Sequence, residues 1–436
     1  MPTEVAVFDR STGSSGIPTF YATYDDARTA ASSGDLIELV ASMDQQLLLK
    51  DGVDIVLKAG TMAVNTDDFP LITDGGDPCV CNIYGAGIFQ NTFPDQPCIK
   101  LTDPGTIVNM QCDSILCTGG DTNTSSGSTI EITGGAKFSL VCNEIQNDFN
   151  SAIYITAGSE IFIECNKIVS GAQGNTGASV VVLNASGVLN ADEITCIGTG
   201  SCLQITGGSI NSKIGKLITK DTSESSSPTV LLSGGSGTQE LVLYFKEIQN
   251  LNVGEAVKAN QGNLTLIGDK IFSNDDLSLN FVHPIVSAYV QCDKIISTSK
   301  GIHIENRTDQ IVIDANYIEG GNGNNGVIRS VSLSKYVIRN AKIVNTYVGS
   351  SSPYSRGIFI NYGNTNSQTI ELENLIIVTG VDANDYCIYF EPGTPPTTME
   401  IKNLNLFSNK DKLSSVNFLV GDIGNNKFII SGDVKA

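Results

Sequence analysis

The chain is poor in the residue types on which most enzymes and nucleic-acid-binding proteins depend. Among 436 residues it has no tryptophan and only two histidines, His283 and His303. Histidine is the commonest general acid or base, so few positions could carry such chemistry. Basic residues are also scarce, with 26 lysines and arginines against 46 acidic residues and a net charge of −20. A field of this sign repels phosphate backbones and anionic lipid, which argues against nucleic acid and membrane surfaces as partners.

Long apolar segments are missing as well. No run approaches the roughly 18 apolar residues that a membrane-spanning helix needs. The opening letters MPTEVAVFDRSTGSSG have neither the basic nor the apolar region of a signal peptide. We therefore expect no membrane insertion, and synthesis in the cytoplasm without a signal peptide. Because 41% of the residues are hydrophobic, the chain can bury a core and is not disordered.

The cysteines do not form the dense pairs of a disulfide scaffold. Their number, eleven, is odd, and most stand alone at wide intervals. Cys79 and Cys81 have one residue between them, whereas zinc knuckles usually have two, so we interpret them as small buried residues rather than metal ligands. We expect neither a metal nor a cofactor.

One phrase recurs along the chain: an alternating apolar strand, a small residue, then Asn, Asp or Gly, one polar residue, and Ile or Leu. From Ile145 onward the steps between its copies are 23 to 26 residues, with one of 31, and the step from Ile115 to Ile145 is 30. A period this short, with the two-residue alternation of a strand, predicts stacked coils of short strands. The copies end at Ile115, Ile145, Ile168, Ile194, Leu217, Ile248, Ile271, Ile295, Ile318 and Ile343.

In each copy of the phrase, the small residue and the residue after it predict a bend of the coil, with the first side chain facing the core and the second facing solvent. The inner position alternates between Cys, Ala and Gly, as at Cys142, Cys165 and Ala191, which is typical of a small buried side chain. The next position favours residues that tolerate left-handed backbone angles, so we predict that bend there. A calcium column is the alternative interpretation, but many of these positions lack a carboxylate. The predicted corner residues are Asp113, Asn143, Asn166, Asp192, Gly215, Asp269, Asp293 and Asn316.

This pattern resembles the pectin-lyase-like right-handed parallel β-helix, the fold of pectate lyases, polygalacturonases and many bacteriophage tailspikes and tail fibres. We predict an all-β solenoid over 35–395, preceded by an N-terminal segment and capping helix over 1–34 and followed by last coils and a C-terminal cap over 396–436. Thr23 before YDDARTAAS predicts the capping helix. The resemblance is architectural, and the catalytic motifs of the lyases and polygalacturonases are missing from the sequence.

A second strand in each coil predicts an outward row of side chains. In GIHIE, for example, Ile302 and Ile304 point inward and His303 therefore points outward. Aromatic rings in such a row suit sugar stacking or packing against another subunit. The candidate ligand or interface residues are Tyr154, His303, Phe359 and Tyr389.

Catalytic candidates are weak. His303, Glu305 and Arg307 occupy alternate positions of one segment, so an acid, a base and a cation would share a face. Glu371 and Glu373 form a carboxylate pair on one face, as glycoside hydrolysis requires. Ordinary solvent-facing polarity is the favoured interpretation of both groups.

These observations favour a structural component of a virion or phage-tail-like particle, such as a fibre, spike or surface-attached protein, that recognises a receptor or glycan. The expected protein partners are further copies of this chain, as a homo-oligomer with a trimer favoured, or other particle proteins. A cell-surface polysaccharide is the expected ligand. The alternatives are a polysaccharide lyase or glycoside hydrolase, including a tail depolymerase, and a bacterial surface adhesin.

Overall fold

The computed structural model divides into two compact units, Met1–Ile214 and Gly215–Ala436, each considered by itself below. Both units are built from parallel strands stacked coil upon coil, which confirms the predicted all-β parallel β-helix with a short N-terminal helix. The structure describes residues 5–9, 17–93, 96–119, 127–171, 179–220, 227–234, 239–282, 285–305, 310–321, 326–331, 335–346, 356–361, 368–379, 386–390, 397–408, 417–420 and 427–435.

The first unit begins with a strand that pairs antiparallel with each of the next two strands, and with one helix between those two strands. The later strands pair in parallel. The division between the units falls within β19. The elements up to that point are β1 Val5–Phe8, β2 Thr19–Tyr21, α1 Tyr24–Ala30, β3 Leu36–Leu39, β4 Met43–Asp44, β5 Leu47–Leu48, β6 Asp54–Leu57, β7 Met62–Asn65, β8 Ile72–Thr73, β9 Val80–Gly85, β10 Ile88–Asn91, β11 Ile99–Leu101, β12 Ile107–Gln111, β13 Ser114–Cys117, β14 Ile130–Ile132, β15 Lys137–Asn147, β16 Ile153–Ser170, β17 Val181–Cys196, β18 Leu203–Gly207 and β19 Ser209–Thr219.

The second unit continues with strands that pair in parallel with the strand one coil earlier. These strands are β20 Val230–Leu232, β21 Glu240–Asn250, β22 Val257–Ala259, β23 Gly262–Ser273, β24 Leu279–Val282, β25 Ile285–Ser297, β26 Ile302–Glu305, β27 Gln310–Gly320, β28 Ile328–Val331, β29 Lys335–Arg339, β30 Lys342–Asn345, β31 Arg356–Asn361, β32 Gln368–Thr379, β33 Tyr386–Phe390, β34 Thr397–Ser408, β35 Asn417–Val420 and β36 Lys427–Lys435.

The repeated phrase stacks in register, as its spacing predicts. In the first unit Ile145 pairs with Ile168, which pairs with Ile194. The same position forms a continuous inner column in the second unit, and each of its members is fully buried. That column consists of Ile248, Ile271, Ile295, Ile318 and Ile343.

The alternation between core and solvent is also confirmed. Ile163 is fully buried, whereas its neighbour Phe162 is 42% exposed. The inner corner is occupied by small buried side chains, including Cys142 and Cys292. All eleven cysteines are buried thiols. Burial raises the pKa of the Cys292 thiol to about 12, which keeps it in the unreactive protonated form.

The helix α1 forms where the capping residue predicts it. The Thr23 hydroxyl accepts a hydrogen bond of 3.1 Å from the Asp26 backbone amide, which satisfies one free N–H of the first turn. The helix buries Tyr24 and Ala27. The Tyr24 hydroxyl donates to the Leu48 carbonyl at 2.9 Å, so the helix is fixed to the start of the coils.

The predicted left-handed corner is wrong for the residues to which it was assigned. Within the described ranges, the non-glycine residues with positive φ are Asn340, Asn374 and Asn403, at 61°, 53° and 54°. None of the eight predicted corner residues adopts such an angle. The side chains of five of them instead bond between coils; for example, the Asn166 amide donates to Asn143 at 3.0 Å. Residues with a short amide or carboxylate are therefore selected there by this side-chain ladder, and left-handed geometry appears later in the chain.

A second, buried polar column was not predicted. Asn250 is fully buried at the end of β21, and its amide donates to the carbonyls of Ser227 and Glu255 at 2.9 and 3.0 Å. One coil later, Ser273 takes its place and donates to the Gly254 carbonyl at 2.8 Å. These side chains satisfy the carbonyls of the turns that leave the strands, which would otherwise be buried without partners.

Candidate functional site

The second unit carries an outward row whose members come from successive coils. His303 pairs in register with Asn280 on one side and Arg329 on the other. Arg329 pairs with Phe359, which pairs with Tyr389. Three of the residues predicted from sequence therefore stand in one row, at one residue per coil. We call Lys258, Asn280, His303, Arg329, Phe359 and Tyr389 the outward row.

The remaining candidates lie elsewhere. Tyr154 belongs to the first unit, where it is 38% exposed and pairs with Glu131 and Val182. Arg307 and His283 lie outside the described residues.

His303 is largely enclosed. Its side chain is 17% exposed, and its Nε2 lies 4.0 Å from Glu305 Oε2, which is beyond hydrogen-bond distance. Burial lowers the pKa of His303 to about 4, and the nearby positive charge of Arg329 contributes in the same direction. The negative charge of Glu305 raises the pKa of His303, but by less than burial and Arg329 lower it. The imidazole is therefore neutral near pH 7, so no His303–Glu305 ion pair forms.

A small cavity opens beside His303. It has a volume of about 110 Å³ and lies between His303, Arg329 and Lys300. The Lys300 ammonium is 3.1 Å from Asp276, so its charge is paired. Within the described part of the chain, the buried Nε of Arg329 has no hydrogen-bond acceptor. Leu277, Ile302 and Gly326 complete the lining.

Phe359 corrects the prediction of an exposed aromatic row. Its position between the buried Ile358 and Ile360 agrees with the predicted alternation, but Phe359 itself is only 4% exposed. The Arg356 guanidinium covers it, at 4.3 Å from the Phe359 ring centroid and 4.2 Å from that of Tyr389. This cation–π contact occupies the ring faces, so Phe359 offers no free surface for a sugar.

Glu371 and Glu373 lie on β32, on either side of the buried Leu372, as predicted for a shared outer face. Glu373 is 2.9 Å from the Lys402 ammonium. Glu371 pairs in register with Glu400 of β34 rather than with any member of the outward row. The structure therefore keeps the two carboxylates together and assigns them to a different strand from His303.

The first unit contains a larger groove that sequence reasoning missed. Its volume is about 510 Å³, and the exposed ring of Phe162 lies in it. Lys137 and Glu160, in adjacent coils, form an ion pair of 2.8 Å on its lining. Outward Phe162 was visible in the sequence, but only stacking brings its neighbours together. The lining consists of Ile107, Asn109, Lys137, Phe138, Ser139, Glu160, Ile161, Phe162, Ser186 and Gly187.

Gly187 is required in the wall of this groove. It adopts a φ of 139°, and a Cβ there would approach the Ile161 carbonyl oxygen within 2.0 Å. Any side chain would therefore force the adjacent coils apart beside Phe162.

Within the ranges that the structure describes, no group of three or more His, Cys, Asp or Glu side chains is arranged to hold a metal ion. The described helix is too short to cross a membrane. Comparison with family models, curated proteins and solved structures finds no match to this chain.

Proposed function

We propose that this chain is a structural, glycan-recognising component of a virion or phage-tail-like particle, similar to the pectin-lyase-like tailspikes and tail fibres, and that the groove at Phe162 is its recognition surface. The groove carries the recognition part of this proposal. The particle assignment rests on the β-helix and on the resemblance drawn from the sequence.

The chemistry of the groove suits a sugar. An aromatic ring that is 42% exposed provides a flat apolar surface for the C–H face of a pyranose. Amide, hydroxyl, ammonium and carboxylate groups surround it at Asn109, Ser139, Lys137 and Glu160. Sugar hydroxyls both donate and accept hydrogen bonds, so this mixture matches them. The volume of about 510 Å³ lies within the usual range for small-ligand sites.

The net charge narrows the ligand class for this groove. At −20 the protein repels long polyanions, and the Lys137 charge is already paired with Glu160. We therefore expect a neutral cell-surface glycan at this site.

A glycan array followed by calorimetry tests the recognition site. We expect the full chain to bind neutral oligosaccharides on the array. Phe162→Ala should lower the affinity by about fivefold or more, since the lost ring stacking removes on the order of 1 kcal/mol or more. Tyr244→Ala, at an exposed ring in the other unit, is the matched control and should bind as the unmodified chain does. Equal binding by Phe162→Ala, or no retained glycan, would contradict the proposal.

The enzymatic alternative is tested by incubating the protein with neutral and acidic polysaccharides. We expect neither new reducing ends nor unsaturated products, because His303 has no hydrogen-bonded carboxylate and Glu373 is paired with a lysine. Product release would replace the structural role with that of a lyase or hydrolase. Neighbouring genes for capsid, tail or sheath proteins would separate a particle component from an adhesin.

A further inference from the structure

Three successive members of the outward row have buried polar atoms that lack partners. Within the described residues these atoms are Asn280 Oδ1, His303 Nε2 and Arg329 Nε. In-register stacking separates the backbones of these residues by only about 4.8 Å per coil. Buried polar groups are normally satisfied, so three neighbours without partners indicate a missing ligand or solvent.

One coil before Asn280, at Lys258, the polar groups of the same row have partners. There Glu255, which is 6% exposed, lies 3.1 Å from the Lys258 ammonium and accepts a 2.9 Å bond from the Asn280 amide. A carboxylate thus neutralises the cation at this level. Three coils after Lys258, Arg329 takes part in no ion pair with a described residue, and the cavity of about 110 Å³ lies beside it.

The charges around the cavity are few. Lys300 is paired with Asp276 at 3.1 Å, and Glu305 is 49% exposed to solvent. His303 carries no charge near neutral pH. Among the described residues, Arg329 therefore contributes a positive charge without an ion-pair partner, and a neutral His303 can donate one further hydrogen bond to an acceptor.

We propose that this cavity binds a carboxylate group, which pairs with Arg329 as Glu255 pairs with Lys258 three coils earlier. A guanidinium binds a planar carboxylate through two parallel hydrogen bonds, which a compact ammonium cannot do. The volume admits a carboxylate and a few further atoms rather than a whole sugar ring. Phosphate, with its higher charge, is disfavoured by Asp276, Glu305 and the net charge of −20. The site is independent of the neutral-glycan groove in the first unit.

NMR titration of the imidazole resonances of the full chain tests this proposal. Only His283 and His303 contribute, and His283→Gln assigns them. Glucuronate, whose carboxyl is more acidic than that of acetate and stays largely ionised near pH 4, should raise the pKa of His303, because a bound negative charge favours the imidazolium. Glucose, and sodium chloride at matched ionic strength, should not.

Variants make the result specific. Arg329→Gln should abolish the response, and Arg329→Lys, which keeps the charge, should weaken binding by about tenfold. Arg339→Gln removes a guanidinium that is paired with Asp314 at 2.7 Å and should leave the response unchanged. Thermal unfolding establishes that each variant is folded, and the Lys variant provides the test if Gln is not tolerated.

An equal response to glucose or chloride, or a response that survives Arg329→Gln, would overturn the proposal and leave water as the occupant. Tighter binding of a uronic-acid tetramer than of glucuronate would identify a glycan as the source of the carboxylate. Equal binding of the two would identify a free acid. Because Phe162→Ala should not affect this titration, its outcome is separable from that of the glycan experiment.

Discussion

At the residue scale, His303 shows how stacking changes the chemistry of a side chain. A row position in an isolated strand would leave its imidazole in water with an ordinary pKa of about 6.5. Neighbouring coils enclose it and place Arg329 beside it, so its pKa falls to about 4. The side chain that looked most like a catalytic base is thereby a neutral hydrogen-bonding group.

This depressed pKa predicts a pH dependence of stability. The unfolded chain binds a proton at His303 below about pH 6.5, whereas the folded chain does so only below about pH 4. Stability from this group is thus fully present above pH 6.5 and is lost as the pH falls towards 4, by up to about 3 kcal/mol. Denaturant unfolding should show that the free energy of unfolding falls less between pH 7 and pH 4.5 in His303→Gln than in the unmodified chain. An equal loss in both proteins would contradict the burial described here.

The left-handed corner at Asn374 gives a second prediction at this scale. Its φ of 53° disfavours a Cβ, so Asn374→Ala should be less stable than Asn374→Gly by about 1 kcal/mol. Both variants lose the same bonds to Asn340 and Asn403, so their difference reports the backbone. The measurement is urea unfolding at pH 7.

Asn166 is the matched control, because its φ is not positive although it also belongs to the side-chain ladder. There the order should reverse, with Asn166→Ala at least as stable as Asn166→Gly. The same order of stability at both positions would contradict the assignment of the corner.

At the scale of the elements, the buried polar column explains why strands can leave the core without unsatisfied carbonyls. Asn250→Ala should lower the free energy of unfolding by about 2–4 kcal/mol, because two buried carbonyls lose their donor. Asn274→Ala changes an exposed asparagine in the next coil and should stay within about 0.5 kcal/mol. A small effect at Asn250 would mean that water replaces its amide.

At the scale of the whole molecule, assembly follows from the proposed particle role. We expect a homotrimer of the 46.1 kDa chain, and because each copy carries a charge of −20, salt should strengthen it by screening repulsion. Sedimentation at about 50 mM and 500 mM salt should show trimer gaining over monomer as salt rises. A monomer at every salt and protein concentration would contradict this expectation.

The sequence by itself determined the coil. The small inner residue and the aliphatic residue three positions later recur with strand periodicity, as at Cys142 and Ile145, and local alternation is enough to define which side chains face the core. The Thr23 cap was likewise readable, because its hydrogen bond spans only three residues.

Only the tertiary structure decided how the side chains of the outer face are arranged. Contacts between residues two to three dozen positions apart bring Arg356 over Tyr389, place Arg329 beside His303, and assemble the groove around Phe162. The asparagine corners were misassigned for the same reason, since a local propensity for left-handed angles and a need for bonds between coils select the same residue types. Exposure, pKa and ligand geometry are properties of neighbours in space, and the order of the residues does not specify how neighbouring side chains cover one another.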